Sequence, residues 1–394
     1  MKPPAWILFP HVRTMFHFKH RLNMKKNFTV WLIALFGLMG MSAATVQAQT
    51  TPKEGKAGPL TWKYDEGSKT LTISGTGEMP DYNEGRSPWS GFGYTTTTVV
   101  IGEGVSTIGK ESFAEMVSLT SITLPKSLTK IGGKSFTGCV KLTSVTIPAG
   151  VKEIGASAFL LCPALTEIKV DAANTVYTSV DGVLFNKAKT VLHRYPGGRP
   201  NDKYDIPAGV KTVAPFAFFS VGRLHTLTAP AGIELFGNSA FAFSRSLSWV
   251  SLPDANFLIR DLAFCGCANL KSITVKSKTP PRTAFDAFEG VPVSSVKLNV
   301  PKGAGAAYKA DSEWKAFKIV VEATANVLLP EARIYTADGR LYFTLARAAS
   351  VHIYNVSGAL VRTFNAPAGE TSVTLPQGVY VVKAGAKTEK VAVQ

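Results

Sequence analysis

The sequence has few of the residues that catalytic and metal sites use. Only six of its 394 residues are histidine and only four are cysteine. The histidines that follow residue 48, His193, His225 and His352, are widely separated, and no H-E-x-x-H pair occurs, which disfavours a zinc hydrolase. The G-x-S-x-G sequence of a nucleophile elbow is also missing. We therefore predict that the protein is not an enzyme and binds no metal or cofactor.

One glycine-containing segment is similar to a phosphate-binding loop but lacks its metal ligand. Gly104 to Lys110 has the glycine and lysine spacing of a P-loop, yet Glu111 stands where the magnesium-binding Ser or Thr is required. Carboxylates are plentiful, so counting does not exclude a glycosidase pair, although the caps of solenoids rarely host one. Neither pattern changes the prediction of a non-enzyme.

The chain also lacks an apolar run long enough to span a membrane stably. The run from Phe28 to Met41 is shorter than the roughly 20 residues that a spanning helix needs. Lys25 and Lys26 precede it and Val46-Gln47-Ala48 follows it, which is the pattern of a secretory signal peptide. Residues 1–48 are therefore predicted to be this signal, with 1–23 an over-long start because Met24 stands where a signal would begin. The mature chain then has no transmembrane segment.

Acidic residues are in the minority. The chain has 43 Lys and Arg against 27 Asp and Glu, and removal of residues 1–48 lowers the net charge from +16 to +10. A basic exterior favours acidic partners, such as sulfated or sialylated glycans, anionic matrix proteins or lipopolysaccharide. The charge is spread along the chain with no dense basic tract or recognition motif, so we predict no nucleic-acid partner.

The most informative pattern is an internal repeat of 23 residues. Leu119, Leu142 and Leu165 have this spacing, and so do Leu224, Leu247 and Leu270. With each leucine as position 0, apolar residues recur at +3, +5, +9, +12 and +17, proline often follows +5, and glycine recurs at +13. Alternating apolar residues at +3 and +5 indicate a short strand with one buried face, and proline ends it. Stacked units of this kind form a solenoid.

The repeat predicts a mainly β fold with eight stacked strands, a Phe at +17 in the interior and a turn permitted by Gly at +13. It is interrupted once, because 36 residues separate Leu165 from Asn201. The extra segment, Tyr177 to Pro196, is interpreted as a β-hairpin that stands off the solenoid. The predicted organisation is a linker and N-terminal β cap at 49–95, the solenoid at 96–275, a C-terminal cap at 276–322 and a linker at 323–330.

These residues resemble a known family. The pattern L-x-x-I-x-L-P-x-x-L-x-x-I-G-x-x-x-F-x-x-C, which runs from Leu119 to Cys139 and again from Leu142 to Cys162, is similar to the BspA-like leucine-rich repeats of bacterial surface proteins. Val180 to Lys187 and Leu71 to Gly77 are also similar to segments of that family. The resemblance implies a secreted or surface-displayed binding protein, since some members are adhesins for host matrix proteins or other cells.

Residues 331–394 have a different period and are predicted to form a small β-sandwich of seven short strands. Ile353 to Gly358, Gly378 to Val382 and Lys390 to Val393 are similar to the C-terminal sorting domains of type IX secretion. That resemblance implies contact with the secretion machinery and a location on the outer surface of a Gram-negative bacterium. An ordinary accessory sandwich domain is the alternative.

Three cysteines share one repeat position. Cys139, Cys162 and Cys267 are all at +20, where other repeats have Met116, Val221 or Ser244. We interpret them as small apolar core residues. A disulfide between Cys139 and Cys162 and a metal site at Cys265 and Cys267 are the alternatives.

The outward face of the strands is the candidate binding surface. Positions +2 and +4 are mostly Ser and Thr, which strand propensity alone would explain. Trp249 at +2 is the exception, and exposed aromatics anchor interfaces and stack on sugar rings. We predict a site at Trp249, Lys203, Thr226, Arg223 and Arg245, unless Trp249 packs against the hairpin. The hypothesis is an adhesin for matrix protein, mucin glycan or neighbouring cells; the alternative is a structural surface scaffold without a dedicated ligand.

Overall fold

The structure is a computed structural model that describes residues 53–83, 85–254, 256–323, 332–337, 340–345, 348–367, 369–385 and 387–393. The predicted signal peptide lies outside these residues. So does the predicted linker after residue 323. No helix in the described parts is long and apolar enough to cross a membrane.

Short β-strands make up nearly all of the regular structure before residue 324. The first strands are β1 Glu54–Ala57, β2 Leu60–Asp65, β3 Thr70–Gly75, β4 Gly77–Glu78, β5 Thr98–Ile101, β6 Val105–Ile108, β7 Ser121–Thr123, β8 Lys130–Ile131, β9 Ser144–Ile147, β10 Glu153–Ile154 and β11 Glu167–Val170, with a 3₁₀ turn at Ser90–Phe92.

The insertion and the rest of the solenoid follow. Their elements are β12 Tyr177–Val180, β13 Val183–Asn186, β14 Val191–Arg194, β15 Lys203–Asp205, β16 Thr212–Val213, β17 Thr226–Thr228, β18 Leu235–Phe236, β19 Trp249–Leu252, β20 Leu258–Ile259, β21 Ser272–Val275, β22 Arg282–Thr283, β23 Lys297–Pro301, helix α1 Gly305–Ala310, a 3₁₀ turn Trp314–Ala316 and β24 Ile319–Ala323.

The eight predicted strands, β5, β7, β9, β11, β15, β17, β19 and β21, are all present, and we call them the front ladder. Parallel pairing joins β5 to β7, β9 to β11, and β15, β17, β19 and β21 in order. The array is longer than predicted. Strand β3 of the N-terminal cap pairs in parallel with β5, and β23 and β24 of the C-terminal cap continue from β21. Both caps therefore contribute strands to the solenoid itself, which has about ten turns.

A second array of parallel strands was not predicted. Strands β4, β6, β8 and β10 pair in order, and so do β14, β16, β18, β20 and β22; we call this the back ladder. Six of its strands, β6, β8, β10, β16, β18 and β20, end at the apolar +12 residue, and in β6, β8, β10 and β18 a Gly follows at +13. Those glycines have ordinary negative φ values, so the predicted reason for them is wrong. A Cβ on Gly132 would lie 2.6 Å from the backbone of Gly109, so glycine is required by the close approach of neighbouring turns.

Between the back strand and the next front strand, six turns of the solenoid contain a residue in the left-handed backbone conformation at the same repeat position. The residue at +15 has φ between 54° and 61° in six turns although none of the six is glycine, a conformation that costs free energy for such residues. Inter-turn hydrogen bonds offset this cost, as where the Phe136 N–H donates to the Ala158 carbonyl at 2.9 Å. The six residues are Glu111, Lys134, Ser157, Phe216, Ser239 and Leu262.

The predicted phenylalanines at +17 are buried and stack from turn to turn. Phe113, Phe136 and Phe159 have ring centroids 5.4 and 5.5 Å apart and are nearly parallel. Beyond the insertion, Phe218, Phe241 and Phe264 continue at 5.0 and 4.8 Å. This spacing is close to the distance of about 4.8 Å between paired strands, because one ring is added with each strand.

The insertion does not stand off the solenoid, as we had predicted, but divides its interior. Strand β13 pairs with β12 and β14, and β14 joins the back ladder through β16. We call the turns before the insertion the first half of the solenoid and the turns after it the second half. Leu184 packs into the apolar cluster of the first half, whereas its neighbours Val183 and Phe185 pack into the cluster of the second half. We therefore call β13 the partition strand. The front ladder is broken here, because the Ile168 N–H donates to the Gly182 carbonyl at 2.9 Å instead of to a front strand.

The C-terminal residues form the predicted seven-stranded sandwich. One sheet has the order β25-β26-β29, the other has β28-β27-β30-β31, and one apolar cluster lies between them. The strands are β25 Ala332–Ala337, β26 Arg340–Leu345, β27 Ala349–Asn355, β28 Leu360–Ala366, β29 Gly369–Thr374, β30 Gly378–Ala384 and β31 Lys387–Val393.

Candidate ligand-binding face

Three of the five predicted site residues lie side by side. In the register of the front ladder, Lys203 pairs with Thr226 and Thr226 pairs with Trp249. The same row continues to Ser272 and then Lys297. Because Val250 and Leu252 belong to the interior cluster, alternation along β19 places Trp249 and Ser251 on the outer face. The row is thus an outward-facing line across the second half of the solenoid.

Trp249 is half-buried on this face and is less exposed than the sequence suggested. The Lys271 Nζ lies 5.4 Å from the centre of its ring, within the range of a cation–π contact. Along the front ladder, strands β15 and β17 come between the insertion and β19. Sequence analysis missed Lys271, although its position at +1, one turn after Trp249, could have indicated it.

Lys203 has a partner of its own. Its Nζ lies 2.9 Å from Oδ2 of Asp205, two residues along the same strand. The pair places opposite charges at one end of the row, beside Thr226 and Thr228. A ligand group that approaches Lys203 therefore also meets a carboxylate.

Polar groups surround Trp249 on the outer face. Ser251 is 6% exposed, and its hydroxyl and that of Thr228, its ladder neighbour, have no hydrogen-bond partner within the described chain. On the other side, the Asn299 Nδ2 donates to the Ser272 Oγ at 2.8 Å. The Thr228 and Ser251 hydroxyl oxygens are buried, so the hydroxyls that flank the ring within the outward row are those of Thr226 and Ser272.

Arg223 and Arg245 lie in the turns before β17 and β19 and are exposed, outside the row itself. They belong to a larger set at the edge of the ladder where the front strands begin. Five successive turns each place one exposed basic residue there, and none of them makes an ion pair with another described residue. We call the set the basic edge: Arg223, Arg245, Lys271, Lys297 and Lys318.

The same edge is built differently in the first half. There the +1 residues are Thr97, Thr120, Thr143 and Thr166, and their hydroxyls donate to the backbone of the preceding turn. The Thr120 Oγ1, for example, is 3.0 Å from the Thr97 carbonyl oxygen. We call this the threonine column. Its side chains are bonded within the protein, whereas the five side chains of the basic edge are exposed. Of these five, Lys271 contacts the Trp249 ring and the Lys318 Nζ donates to the Lys315 carbonyl at 3.3 Å.

All four cysteines are free thiols, and three of them do more than fill space. Cys139 Sγ donates to the Phe113 carbonyl at 3.3 Å, and Cys267 Sγ donates to the Phe241 carbonyl at 3.2 Å. Ser244, at the same repeat position, donates to Phe218 at 2.5 Å. Where position +20 is Cys or Ser, it therefore donates a hydrogen bond to the preceding turn, which the interpretation as an apolar core residue missed.

Burial keeps these thiols protonated at neutral pH. It raises the pKa of Cys162 to about 11 and that of Cys267 to about 12. The pKa of Cys265 also rises to about 11, again chiefly through burial. Since the thiolate is the reactive form, none of the three thiols is activated as a nucleophile. Within the described ranges, no group of three or more His, Cys, Asp or Glu side chains could hold a metal ion.

The repeat region matches a family model. The BspA-type leucine-rich repeat matches in six copies over residues 92–190 and 200–303, which is more than half of the chain. The chain belongs to this family. The family match ends before the C-terminal sandwich, so the BspA-type assignment concerns the solenoid.

Solved leucine-rich-repeat structures are similar to this chain at low identity. A protein from Eubacterium ventriosum is 18% identical, with a TM-score of 0.40, over 71% of this chain and 98% of its own. The pneumococcal vaccine antigen PcpA is 19% identical, with a TM-score of 0.42, over 69% and 99%. A cell surface protein from Faecalibacterium prausnitzii is 20% identical, with a TM-score of 0.36, over 71% and 97%. These likenesses carry no argument about ligands. No curated protein matched the chain.

Proposed function

We propose that this BspA-type protein is a secreted, cell-surface adhesin that binds a matrix protein, a mucin glycan or a neighbouring cell through the outer face around Trp249. BspA-type proteins are cell-surface proteins, and leucine-rich-repeat solenoids are typically binding proteins without catalytic activity. The observation that carries the proposal is the position of Trp249. It is the one large aromatic in an outward row that otherwise has Lys203, Thr226, Ser272 and Lys297.

The chemistry around Trp249 supports recognition of a polar partner. An indole ring supplies a large rigid contact surface with little loss of side-chain entropy. Lys271 beside the ring adds positive charge, and the hydroxyls of Thr226 and Ser272 flank it in the ladder. Such an aromatic centre with polar groups around it is typical of binding hot spots.

A binding experiment with two variants tests the proposal. The purified protein is titrated against immobilised matrix proteins and a mucin-glycan array, together with Trp249→Ala and Tyr94→Ala. Tyr94 is an exposed aromatic of the first half, so it controls for non-specific loss of aromatic surface. We expect saturable binding that falls at least tenfold in Trp249→Ala and is unchanged in Tyr94→Ala.

The other outcomes separate the alternatives. Binding that survives in Trp249→Ala would place the site elsewhere and contradict the role of this face. Absence of saturable binding to any surface would favour a structural scaffold without a dedicated ligand. Circular dichroism and thermal unfolding of both variants show whether a loss arises from the fold.

For the C-terminal sandwich we propose a role in export and attachment, through the secretion machinery of a Gram-negative bacterium. Its seven strands and the segments from Ile353 to Gly358 and from Gly378 to Val382 support this proposal. The test is to append residues 331–394 to a reporter that carries a signal peptide, in a host with type IX secretion. Reporter at the cell surface is expected; reporter retained in the periplasm would favour an accessory domain.

A further inference from the structure

The basic edge has one basic residue in each of five successive turns, although not at one repeat position. Arg223 and Arg245 lie in the turns before β17 and β19, Lys271 and Lys318 directly precede β21 and β24, and Lys297 begins β23. Arg223, Arg245, Lys271, Lys297 and Lys318 come from five successive turns of the front ladder. Because paired strands are about 4.8 Å apart, the line extends over roughly 20 Å. It begins close to Trp249 and passes Lys271, whose ammonium group faces the indole ring. The aromatic site and the charged line are therefore one continuous surface.

Carboxylates do not neutralise this line, because several in the second half are held elsewhere. Glu234 pairs with Lys211 at 3.1 Å. Asp261 accepts from the Asn238 Nδ2 at 3.1 Å, and Glu322 accepts from the backbone amides of Gly303 and Gly305, both at 2.9 Å. Towards the partition the line ends at the turn that contains Asp202 and the Lys203–Asp205 pair. No described carboxylate makes an ion pair with the five residues of the basic edge, so their positive charges remain available to an anionic partner.

From this arrangement we infer that the basic edge, together with Trp249, binds an acidic polysaccharide bearing carboxylate or sulfate groups. The inference rests on the proposed function and names its ligand class. A linear polyanion matches a succession of single cations, one per turn. The indole ring packs against the apolar face of one sugar, while Lys271 pairs with an anionic group on that sugar or the next.

Two features favour a polysaccharide over a nucleic acid. Single-stranded nucleic acids are held on a series of aromatic side chains, with one base stacked on each. The described row offers a single aromatic ring, and its neighbours Thr226 and Ser272 are hydroxyl groups. Hydroxyl and amide groups suit the many hydroxyls of a sugar chain, whereas charge alone does not distinguish the two polymers.

The test measures the full-length protein on four surfaces: heparin, which is sulfated; hyaluronan, which carries only carboxylates; neutral dextran; and double-stranded DNA. The variant Arg245→Ala/Lys271→Ala/Lys297→Ala removes the middle of the basic edge. The charge-matched control, Lys56→Ala/Lys141→Ala/Lys152→Ala, removes three exposed lysines of the first half. We expect at least a tenfold loss of affinity for heparin or hyaluronan in the first variant and less than a twofold loss in the control.

Other results would overturn the inference. Equal losses in both triple variants would mean that net charge, not the basic edge, holds the polymer. Equal binding of dextran would mean a neutral sugar site, and tighter binding of DNA would mean a nucleic-acid surface. If no polysaccharide binds but Trp249→Ala still abolishes saturable binding to a matrix protein, this inference fails while the proposed adhesin function stands. If neither binds, both fail.

Discussion

The two halves of the solenoid share one backbone plan and differ in what they place outside it. In both halves each repeat contains a front strand, a back strand and a connecting segment whose residue at +15 has a left-handed backbone conformation. Both stack one phenylalanine per turn, at 5.4 and 5.5 Å in the first half and 5.0 and 4.8 Å in the second. Close packing therefore restricts the residue types at inward positions, whereas the residue types at outward positions can differ between the halves and can serve binding.

The difference is clearest at the edge where the front strands begin. In the first half, Thr120 and Thr166 return their hydroxyls to the backbone. In the second half the +1 residues are Asp202, His225, Ser248 and Lys271. At Lys271 the equivalent backbone bond remains, from its N–H to the Ser248 carbonyl at 2.9 Å, but the side chain is long and basic. The hydroxyls of the threonine column are thus bonded to the protein backbone, whereas the exposed side chains of the basic edge can contact an anionic partner. This contrast favours the second half as the binding region.

The partition strand is what allows two halves to exist within one solenoid. Leu184 and Phe185 are adjacent in sequence, yet each is buried in a different apolar cluster. Alternation along a strand gives β13 two apolar faces, so it closes the interior of both halves. The comparison can be tested by damaging one face at a time.

The largest effect is expected from truncation of the partition strand. Leu184→Ala should destabilise the first half by about 2–5 kcal/mol and Phe185→Ala the second by about 3–5 kcal/mol, since each leaves a buried cavity. Pulse labelling of thiols along a urea titration reads each half separately. Cys139 and Cys162 report on the first half and Cys267 on the second, and all three are at most 1% exposed.

In Leu184→Ala, Cys139 and Cys162 should become labelled at lower urea than Cys267, and in Phe185→Ala the order should reverse. The wild-type protein is the reference for both. If all three cysteines become labelled at the same urea concentration in each variant, the solenoid unfolds as one unit. The two halves would then be distinct in structure but would not unfold independently.

A smaller effect is expected at position +20. Ser244→Ala removes the buried hydrogen bonds that the Ser244 hydroxyl donates to the Phe218 carbonyl and accepts from the Val221 N–H and should cost about 1–3 kcal/mol. Ser244→Cys, which restores the donor found at Cys139, should cost less than Ser244→Ala. Urea midpoints of the two variants give the comparison. Equal stability of Ser244→Ala and wild type would mean that the slot requires only a small residue.

The smallest effect is expected in the threonine column. Thr120→Val removes one exposed hydrogen bond and should cost about 0.5–1 kcal/mol, as measured by chemical denaturation. Thr120→Lys imitates the second half and should cost a similar amount, because the backbone at this edge is the same in both. A loss several times larger in Thr120→Lys would show that the edges are not interchangeable.

Much of this fold could be read from the repeat because its phase reports burial directly. The strands at +2 to +5, the buried phenylalanines and the seven strands of the sandwich were predicted and are present. The back ladder was missed because its strands are mostly two residues long, too short for an alternating pattern. Strands β23 and β24 were missed because the interval from Ser272 to Lys297 is longer than one repeat.

The candidate site was predicted only in part, because the repeat assigns only those residues that lie within its 23-residue phase. Lys203, Thr226 and Trp249 share one repeat position, so the sequence could place them in one row. Lys297 falls outside the 23-residue phase, and nothing in a linear pattern assigns it to that row. The ion pair of Lys203 with Asp205 and the half-burial of Trp249 depend on side-chain packing across strands.

By itself, the sequence determined the repeat, the direction in which each strand faces and the family, because a 23-residue period forces the same residues inward at every turn. Only the tertiary structure decided what the insertion does and why certain residues recur. Val183, Leu184 and Phe185 look like one apolar run, yet they close two separate interiors. Gly132 and Ser244 are explained by the turn stacked against them. Contacts between turns join residues more than twenty positions apart, and a local pattern carries no information about such neighbours.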